Sequence, residues 1–185
     1  MIDLNVRKME VHAANQKWWH DLETGERLDR NKGELFMLVI SEFAEALEAE
    51  RKNLMDSHLP HRPGAEVEMA DAYIRLLDIA AGFNVTLTND IFDENELQET
   101  AAILPENKAE CLFGLCKLLT ELVEINGSFN NDEPDVIMMP LALIFSYCHK
   151  FGYDLEGAYQ EKMAYNAVRA DHTVEARKAE GGKKF

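Results

Sequence analysis

Basic residues are scarce in this sequence. Lys and Arg together number 19 against 34 Asp and Glu, so the formal net charge of the 185 residues is −15. Nucleic-acid-binding proteins contact the phosphate backbone through basic patches, and this charge balance therefore argues against a nucleic-acid partner. An acidic protein that binds a polyanion such as a nucleotide would need metal ions as a bridge.

Cysteines and long apolar runs are few as well. Cys111, Cys116 and Cys148 are odd in number and include no C-x-x-C pair, which favours a reduced, cytoplasmic protein. The polar, mixed-charge N-terminus is not typical of a signal peptide. The longest apolar run, 136–148, is interrupted by Pro140 and is too short to span a bilayer, so we expect no membrane partner.

Strand-type alternation of apolar and polar residues is also missing, so the sequence predicts an all-α fold, with residues 1–185 in a single domain. The segment 85–104 is acidic and is predicted to be irregular. Periodicity and the positions of Gly, Pro and Asn predict helices over residues 4–21, 34–54, 65–83, 106–125, 134–151 and 155–170.

Two pairs of acids, each spaced three residues apart, lie on the second and third predicted helices: Glu42 with Glu45, and Glu68 with Asp71. Residues three apart share a helix face, so two packed helices would direct four carboxylates to one place. At about 100° per residue, Glu42 falls inside the apolar arc of its helix and Glu45 at the edge of that arc. A buried carboxylate is costly unless a cation or hydrogen-bond donors compensate it.

The third predicted helix is apolar almost all round, which indicates a buried helix. Its only other stripe consists of Glu68, Asp71, Arg75 and Asp78. This stripe either faces solvent or lines a cavity, and three acids on the single polar seam of a buried helix favour the cavity. Because neither acid pair includes a histidine, unlike the Glu-x-x-His pairs of di-iron bundles, the site favours a hard cation, Mg²⁺ or Mn²⁺.

The first and last predicted helices carry candidate ligand contacts. Lys162, Asn166 and Arg169 share one face of the last helix, where they would either bind phosphate or form a solvated basic helix end. On the first helix, His12, Asn15 and Trp19 recur at one face, with Trp18 on a neighbouring face. The two tryptophans either fill the core or offer a flat surface to a nucleobase.

A second Glu-x-x-Glu pair, Glu121 and Glu124, echoes the first. On a helical wheel these residues fall on the polar face with Glu106, Glu110 and Lys117, so we interpret the pair as part of the surface. The echo makes residues 88–150 either a helical insertion or a degenerate repeat of the first helix pair.

Three blocks in order resemble the MazG-like, all-α nucleoside triphosphate pyrophosphohydrolases. They are Glu42-x-x-Glu45 with Glu68-x-x-Asp71, the segment 11–19 (VHAANQKWW), and the segment 162–169 (KMAYNAVR) followed by the G-G-K-K tail. The resemblance covers residues 4–83 and 152–185. Small members of the family pass almost directly from the buried helix to the last one, so the stretch 88–150 departs from the pattern.

The resemblance implies a helical bundle of the MazG-like type, with an extra helical pair in the second half. It implies an enzyme that hydrolyses a nucleoside or deoxynucleoside triphosphate between the α and β phosphates, giving the monophosphate and pyrophosphate. By the same resemblance, Mg²⁺ would be held by Glu42, Glu45, Glu68 and Asp71, which would form the catalytic centre, and the chain would form a homo-oligomer, a dimer or a tetramer.

Substrate contacts would come from the first and last helices, according to the resemblance. The residues concerned are Asn15 and Trp19 toward the base, and Lys162, Asn166 and Arg169 toward phosphate. A pair of tryptophans would suit a purine, although stacking accommodates any base. Two alternatives stay open: a dUTPase-like or dCTPase-like activity on the same scaffold, and a non-catalytic acidic helical module that binds a protein partner through apolar surface.

Overall fold

The computed structural model describes residues 3–89, 94–125 and 134–183. Over these ranges the chain forms eight α-helices and no β-strand, which confirms the all-α prediction. The helices are α1 Leu4–Asn15, α2 Lys32–Lys52, α3 Gly64–Gly82, α4 Glu94–Ile103, α5 Lys108–Ile125, α6 Asp135–Phe151, α7 Leu155–Val168 and α8 Val174–Lys178.

Short polar side chains fix where α1, α2 and α7 begin. Asp3 accepts from the backbone N–H groups of the first turn of α1, and Asn31 and Asp154 do the same for α2 and α7. These caps satisfy N–H groups that have no partner inside the helix. At the other end, α2 stops at Asn53 and α6 at Gly152, both in the left-handed conformation that ends helices.

Helix α3 lies at the centre of the molecule and packs against α1, α2, α6 and α7. Most of its side chains are buried, as its apolar circumference predicts. Near its end, Trp19 lies directly on the helix, because a Cβ atom at Gly82 would come within 2.1 Å of the indole ring. The polar seam of α3 is therefore enclosed by neighbouring helices along most of its length.

The second half adds α4, α5 and α6, with α5 packed on α2 and α4 packed on α6. Helix α4 lies within the segment that was predicted to be irregular, and that prediction is wrong for residues 94–103. Its sequence gives little helical signal because Ala101 is the one residue that it buries. Residues 90–93, at the centre of the predicted irregular segment, lie outside the described ranges.

Two helix ends also differ from prediction. Helix α1 stops at Asn15 and continues as a single 3₁₀ turn over Gln16–Trp18, which redirects the chain so that Trp19 enters the core. Helix α7 stops at Val168, and Arg169 is already extended.

Among the described residues, no single helix is long and apolar enough to cross a membrane. Helices α6 and α7 taken together are long and apolar enough for a broken span, but this rests on length and composition alone, and the two helices are bent by 114°.

Candidate metal centre and the adjoining cavity

Three carboxylates converge between α2 and α3. Glu42, Glu68 and Asp71 each place an oxygen within 4.8 Å of an oxygen of the other two. The three-residue spacing of Glu68 and Asp71 puts both on the face of α3 that meets α2, as the sequence predicts. Three oxygen donors at this spacing form a donor set suited to a hard divalent cation.

Burial and mutual repulsion make these carboxyl groups hold protons more tightly than usual. Glu42 is 5% exposed, and burial raises its pKa against the opposing effect of Arg75. Burial, followed by the charges of Asp71 and Glu42, raises the pKa of Glu68 to about 9. Burial also raises the pKa of Asp71. A divalent cation would relieve the same crowding of negative charge that now favours protonation.

Two basic side chains partly neutralise the cluster. The Nε of Arg75 donates to Oε1 of Glu42 at 2.5 Å, and Nζ of Lys162 lies 2.6 Å from Oδ2 of Asp71. Burial alone would lower the pKa of Lys162, but the Asp71 carboxylate raises it above its ordinary value. Glu68 makes no ion pair or hydrogen bond with the residues that the structure describes.

A cavity of about 340 Å³ adjoins the cluster. This volume is within the range of sites for small organic ligands. Glu45, the fourth predicted ligand, is exposed and lines this cavity without joining the three-carboxylate cluster. The other polar residues along the cavity wall are Asn15, Ser41, Glu42, Asp71, Arg75, Asp78, Asn166, Arg169, His172 and Lys183.

Of the three predicted phosphate contacts on the last helix, two line the cavity. Asn166 lines the cavity, and its buried side-chain oxygen has no hydrogen-bond partner among the described residues. Arg169 donates from Nε to Oδ1 of Asp171 at 2.6 Å, and the other oxygen of Asp171 lies 3.0 Å from Nζ of Lys183. Lys162 does not line the cavity; it is 3% exposed and is engaged with Asp71.

The structure brings Trp18, rather than Trp19, to the cavity. Trp18 lines the wall, with the guanidinium of Arg177 4.1 Å from its ring centroid. Trp19 is 1% exposed and donates from Nε1 to Asp78 at 3.1 Å. In this arrangement Trp19 fills the core, which was one of the two interpretations that the sequence left open, and it cannot reach a ligand in the cavity.

The face of α1 that carries His12 and Asn15 is directed at Asp78 of α3. Its carboxylate is hydrogen-bonded by His12 Nδ1 at 2.6 Å, by Asn15 Nδ2 at 3.2 Å and by the Trp19 indole. Two sequence signals could have identified this network. His12, Asn15 and Trp19 are three hydrogen-bond donors that recur at one face, and Asp78 is an acceptor on the polar stripe of α3, two turns after Asp71. Asn15 also lines the cavity, so this network holds one wall of it in place.

The charged C-terminal segment contributes more than the sequence indicates. Helix α8 buries Arg177, which stacks on Trp18 and also donates to the backbone oxygen of Lys17. His172 places a ring edge-on to Trp18, and burial, together with nearby Lys17 and Arg169, lowers the pKa of this histidine to about 4. His172 therefore lines the cavity in its neutral form, and α8 supports the cavity indirectly by packing Arg177 on Trp18.

Of the echoed acid pair, Glu121 does not line the cavity. Glu121 is exposed and lies 3.5 Å from Lys117 on the same helix, as the wheel predicts. Glu124 lies outside the described side chains. We expect Glu121→Ala combined with Glu124→Ala to leave any metal-dependent activity within a few-fold of wild type. A loss as large as that of a Glu68 variant, measured at saturating metal, would contradict this placement.

Comparison of the chain with models of protein families, with curated proteins and with solved structures finds no match.

Proposed function

We propose that this protein is a divalent-metal-dependent hydrolase of a nucleoside triphosphate, or of its deoxy form, that cleaves between the α and β phosphates to give the monophosphate and pyrophosphate. The observation that carries the proposal is that Glu42, Glu45 and Asp71 share one cavity with Asn166 and Arg169. Acids that suit a cation thus face a cationic and amide surface that suits phosphate. The resemblance of the same motifs to MazG-like enzymes supports this assignment.

The donor set fits Mg²⁺ or Mn²⁺. Glu42, Glu68 and Asp71 supply only oxygen atoms, and these cations prefer oxygen ligands. Glu45 lies on the cavity wall and could complete the set through a modest change of its exposed side chain. When bound, such an ion would polarise phosphate oxygens and lower the pKa of a coordinated water.

The chain's own residues would orient the substrate. Arg169 offers a planar fork that matches phosphate oxygens, and Lys183 adds a point charge on the same wall. Asn166 also lines the cavity, and its side-chain amide has a donor and an acceptor that suit a sugar hydroxyl or a nucleobase. Trp18 offers an aromatic surface on which a nucleobase can stack, in the place that the sequence assigned to Trp19.

A substrate screen tests the proposal. The full chain is incubated with each common NTP and dNTP in Mg²⁺ or Mn²⁺, and products are scored for monophosphate and pyrophosphate. Cleavage of dUTP or dCTP alone would select the dUTPase-like or dCTPase-like alternative. Absence of both turnover and metal-dependent nucleotide binding would refute the proposal and favour the non-catalytic helical module.

Arg169→Ala should lower kcat/KM roughly 10- to 100-fold, because losing a charged hydrogen-bond partner typically costs about 1.5–3 kcal/mol. Arg169→Lys should recover part of this loss, since it keeps the charge but not the bidentate fork. Lys178→Gln is the matched control, as Lys178 pairs with Glu23 away from the cavity. If Arg169→Ala lowers the melting temperature and leaves the rate per folded molecule unchanged, Arg169 has only a structural role.

A further inference from the structure

Arg75 occupies an unusual position beside the carboxylate cluster. It lies on α3 one turn after Asp71, and its Nε is 2.5 Å from Oε1 of Glu42. The Glu42 side chain is 6% exposed, whereas that of Arg75 is 38% exposed. Both residues line the cavity. The cation of this pair therefore borders the open cavity, whereas the anion is buried.

Lys162, the other cation that neutralises the cluster, is placed differently. Its side chain is 4% exposed, it contacts Asp71 at 2.6 Å, and it does not line the cavity. A charge held so deeply has no alternative position in which to be solvated. The cluster thus has one fixed counterion, Lys162, and one counterion with an open path, Arg75.

A divalent cation and Arg75 would compete for Glu42. The three carboxylates that converge are Glu42, Glu68 and Asp71, so an ion held among them would share the Glu42 carboxylate with Arg75. Two positive charges within a few ångströms in a largely buried site repel each other strongly. The partly exposed guanidinium is the one that can leave.

The other cations of the cavity show where Arg75 would go. Arg169 and Lys183 both line the cavity and share the acceptor Asp171, so each has a carboxylate partner. A phosphate chain entering the cavity would offer oxygens to all three cations. Arginine suits that role because its fork binds two oxygens at once.

We propose that Arg75 is an exchangeable counterion: it neutralises Glu42 in the metal-free protein, leaves that carboxylate when a divalent cation binds, and then contacts a phosphate group of the substrate. The inference deepens the proposed function and rests on it. It gives Arg75 a role that the sequence motifs did not assign, and it couples loading of the metal to preparation of the phosphate site.

Calorimetric titration of the full chain with Mn²⁺ tests the first step without any turnover. Arg75→Gln removes the competing cation, so Mn²⁺ should bind about two- to fivefold more tightly, the size of effect that a partly exposed ion pair produces. Arg51→Gln is the matched control, since Arg51 pairs with Glu48 on the exposed face of α2, and it should bind Mn²⁺ like wild type. Unchanged or weaker Mn²⁺ binding by Arg75→Gln would overturn the exchange.

Steady-state kinetics at saturating metal test the second step. For Arg75→Gln, KM for the nucleotide should rise roughly 10- to 100-fold, as expected for loss of a charged contact to phosphate. Arg75→Lys, which keeps the charge, should bind Mn²⁺ within twofold of wild type and show an intermediate KM. A purely structural Arg75 would instead weaken metal and nucleotide binding together, which would also overturn the proposal.

The same titration and kinetics distinguish failure of the exchange from failure of the proposed function. If wild-type protein binds no Mn²⁺ at all, both the metal centre and the exchange are refuted. If wild type binds Mn²⁺ and hydrolyses a nucleotide while Arg75→Gln has wild-type affinity and KM, the function stands and only the exchange falls.

Discussion

Glu68→Gln is expected to reduce metal-dependent hydrolysis more than about 100-fold, since even changes outside the ligand set cost metal sites about 10- to 100-fold. Glu68 is the cleanest of the cluster residues to change. Glu42 is paired with Arg75 and Asp71 with Lys162, so amides at those positions also break an ion pair. Glutamine has nearly the shape of a protonated glutamate, and burial and neighbouring acids already raise the pKa of Glu68 to about 9.

The same variant should therefore keep its helical circular dichroism signal and should melt no lower than wild type in EDTA. Mn²⁺ titration by calorimetry should show weakened or lost binding. Wild-type turnover in Glu68→Gln at saturating metal would remove Glu68 from the metal centre. A fall in melting temperature with unchanged activity per folded molecule would mean that the residue only supports the fold.

The pKa of Glu68 also predicts how metal-free stability depends on pH. The pKa is about 9 in the folded chain against an ordinary value of 4.5, so the folded state binds the extra proton between those limits. A carboxyl group whose pKa is higher in the folded than in the unfolded chain stabilises the folded state. This stabilisation is fully present below the pKa of the unfolded chain and is lost as pH rises through the pKa of the folded chain. Between about pH 7 and pH 9, above the range in which His172 titrates, the melting temperature in EDTA should fall with rising pH.

Glu68→Gln supplies the control for this pH dependence, because its side chain does not titrate. Its melting temperature in EDTA should fall less between pH 7 and pH 9 than that of wild type. Mg²⁺ or Mn²⁺ should restore wild-type stability most at the alkaline end, where the carboxylate has lost its proton and can bind a cation. A wild-type profile that matches the variant's would show that Glu68 ionises near its ordinary pKa.

The sequence predicts the helices and the convergence of acids because both depend on periodicity. Apolar residues around Glu42 place it on a buried face whatever the partner helix is, and the structure confirms that it is buried. Glu68 and Asp71 share a face through their spacing alone. Adjacent faces of α2 and α3 then bring the three acids together, as the packing of a buried helix against its sequence neighbour would suggest.

Pairings between distant parts of the chain were harder to predict. A helical wheel places Lys162 on one face with Asn166 and Arg169, but it does not show that Lys162 is buried against Asp71, 91 positions earlier in the sequence. The choice between Trp18 and Trp19 depends on the 3₁₀ turn over Gln16–Trp18, a local change of helix type that has no clear sequence signature. The docking of Arg177 on Trp18 depends in turn on that choice. Each of these contacts requires knowledge of how the helices pack.

Lys162→Met should destabilise the metal-free protein by roughly 3–5 kcal/mol, the usual cost of removing one partner from a buried ion pair. The side chains of Lys162 and Asp71 are 4% and 16% exposed, so water replaces the lost partner only in part. Methionine keeps the length and the apolar stem of lysine. The control is Lys117→Met, because Lys117 lies 3.5 Å from Glu121 in an exposed pair that should contribute less than about 1 kcal/mol.

Urea unfolding in EDTA measures both variants, and a double variant separates charge from packing. Adding Asp71→Asn to Lys162→Met removes the uncompensated carboxylate, so the double variant should be more stable than Lys162→Met alone. Divalent metal should also recover part of the stability of Lys162→Met, since a cation compensates Asp71 in place of the ammonium group. If Lys162 serves instead as a direct phosphate ligand, as the sequence motif suggests, Lys162→Met will unfold like wild type and lose only nucleotide affinity. The size of the stability loss therefore decides whether Lys162 belongs to the metal centre or to the substrate site.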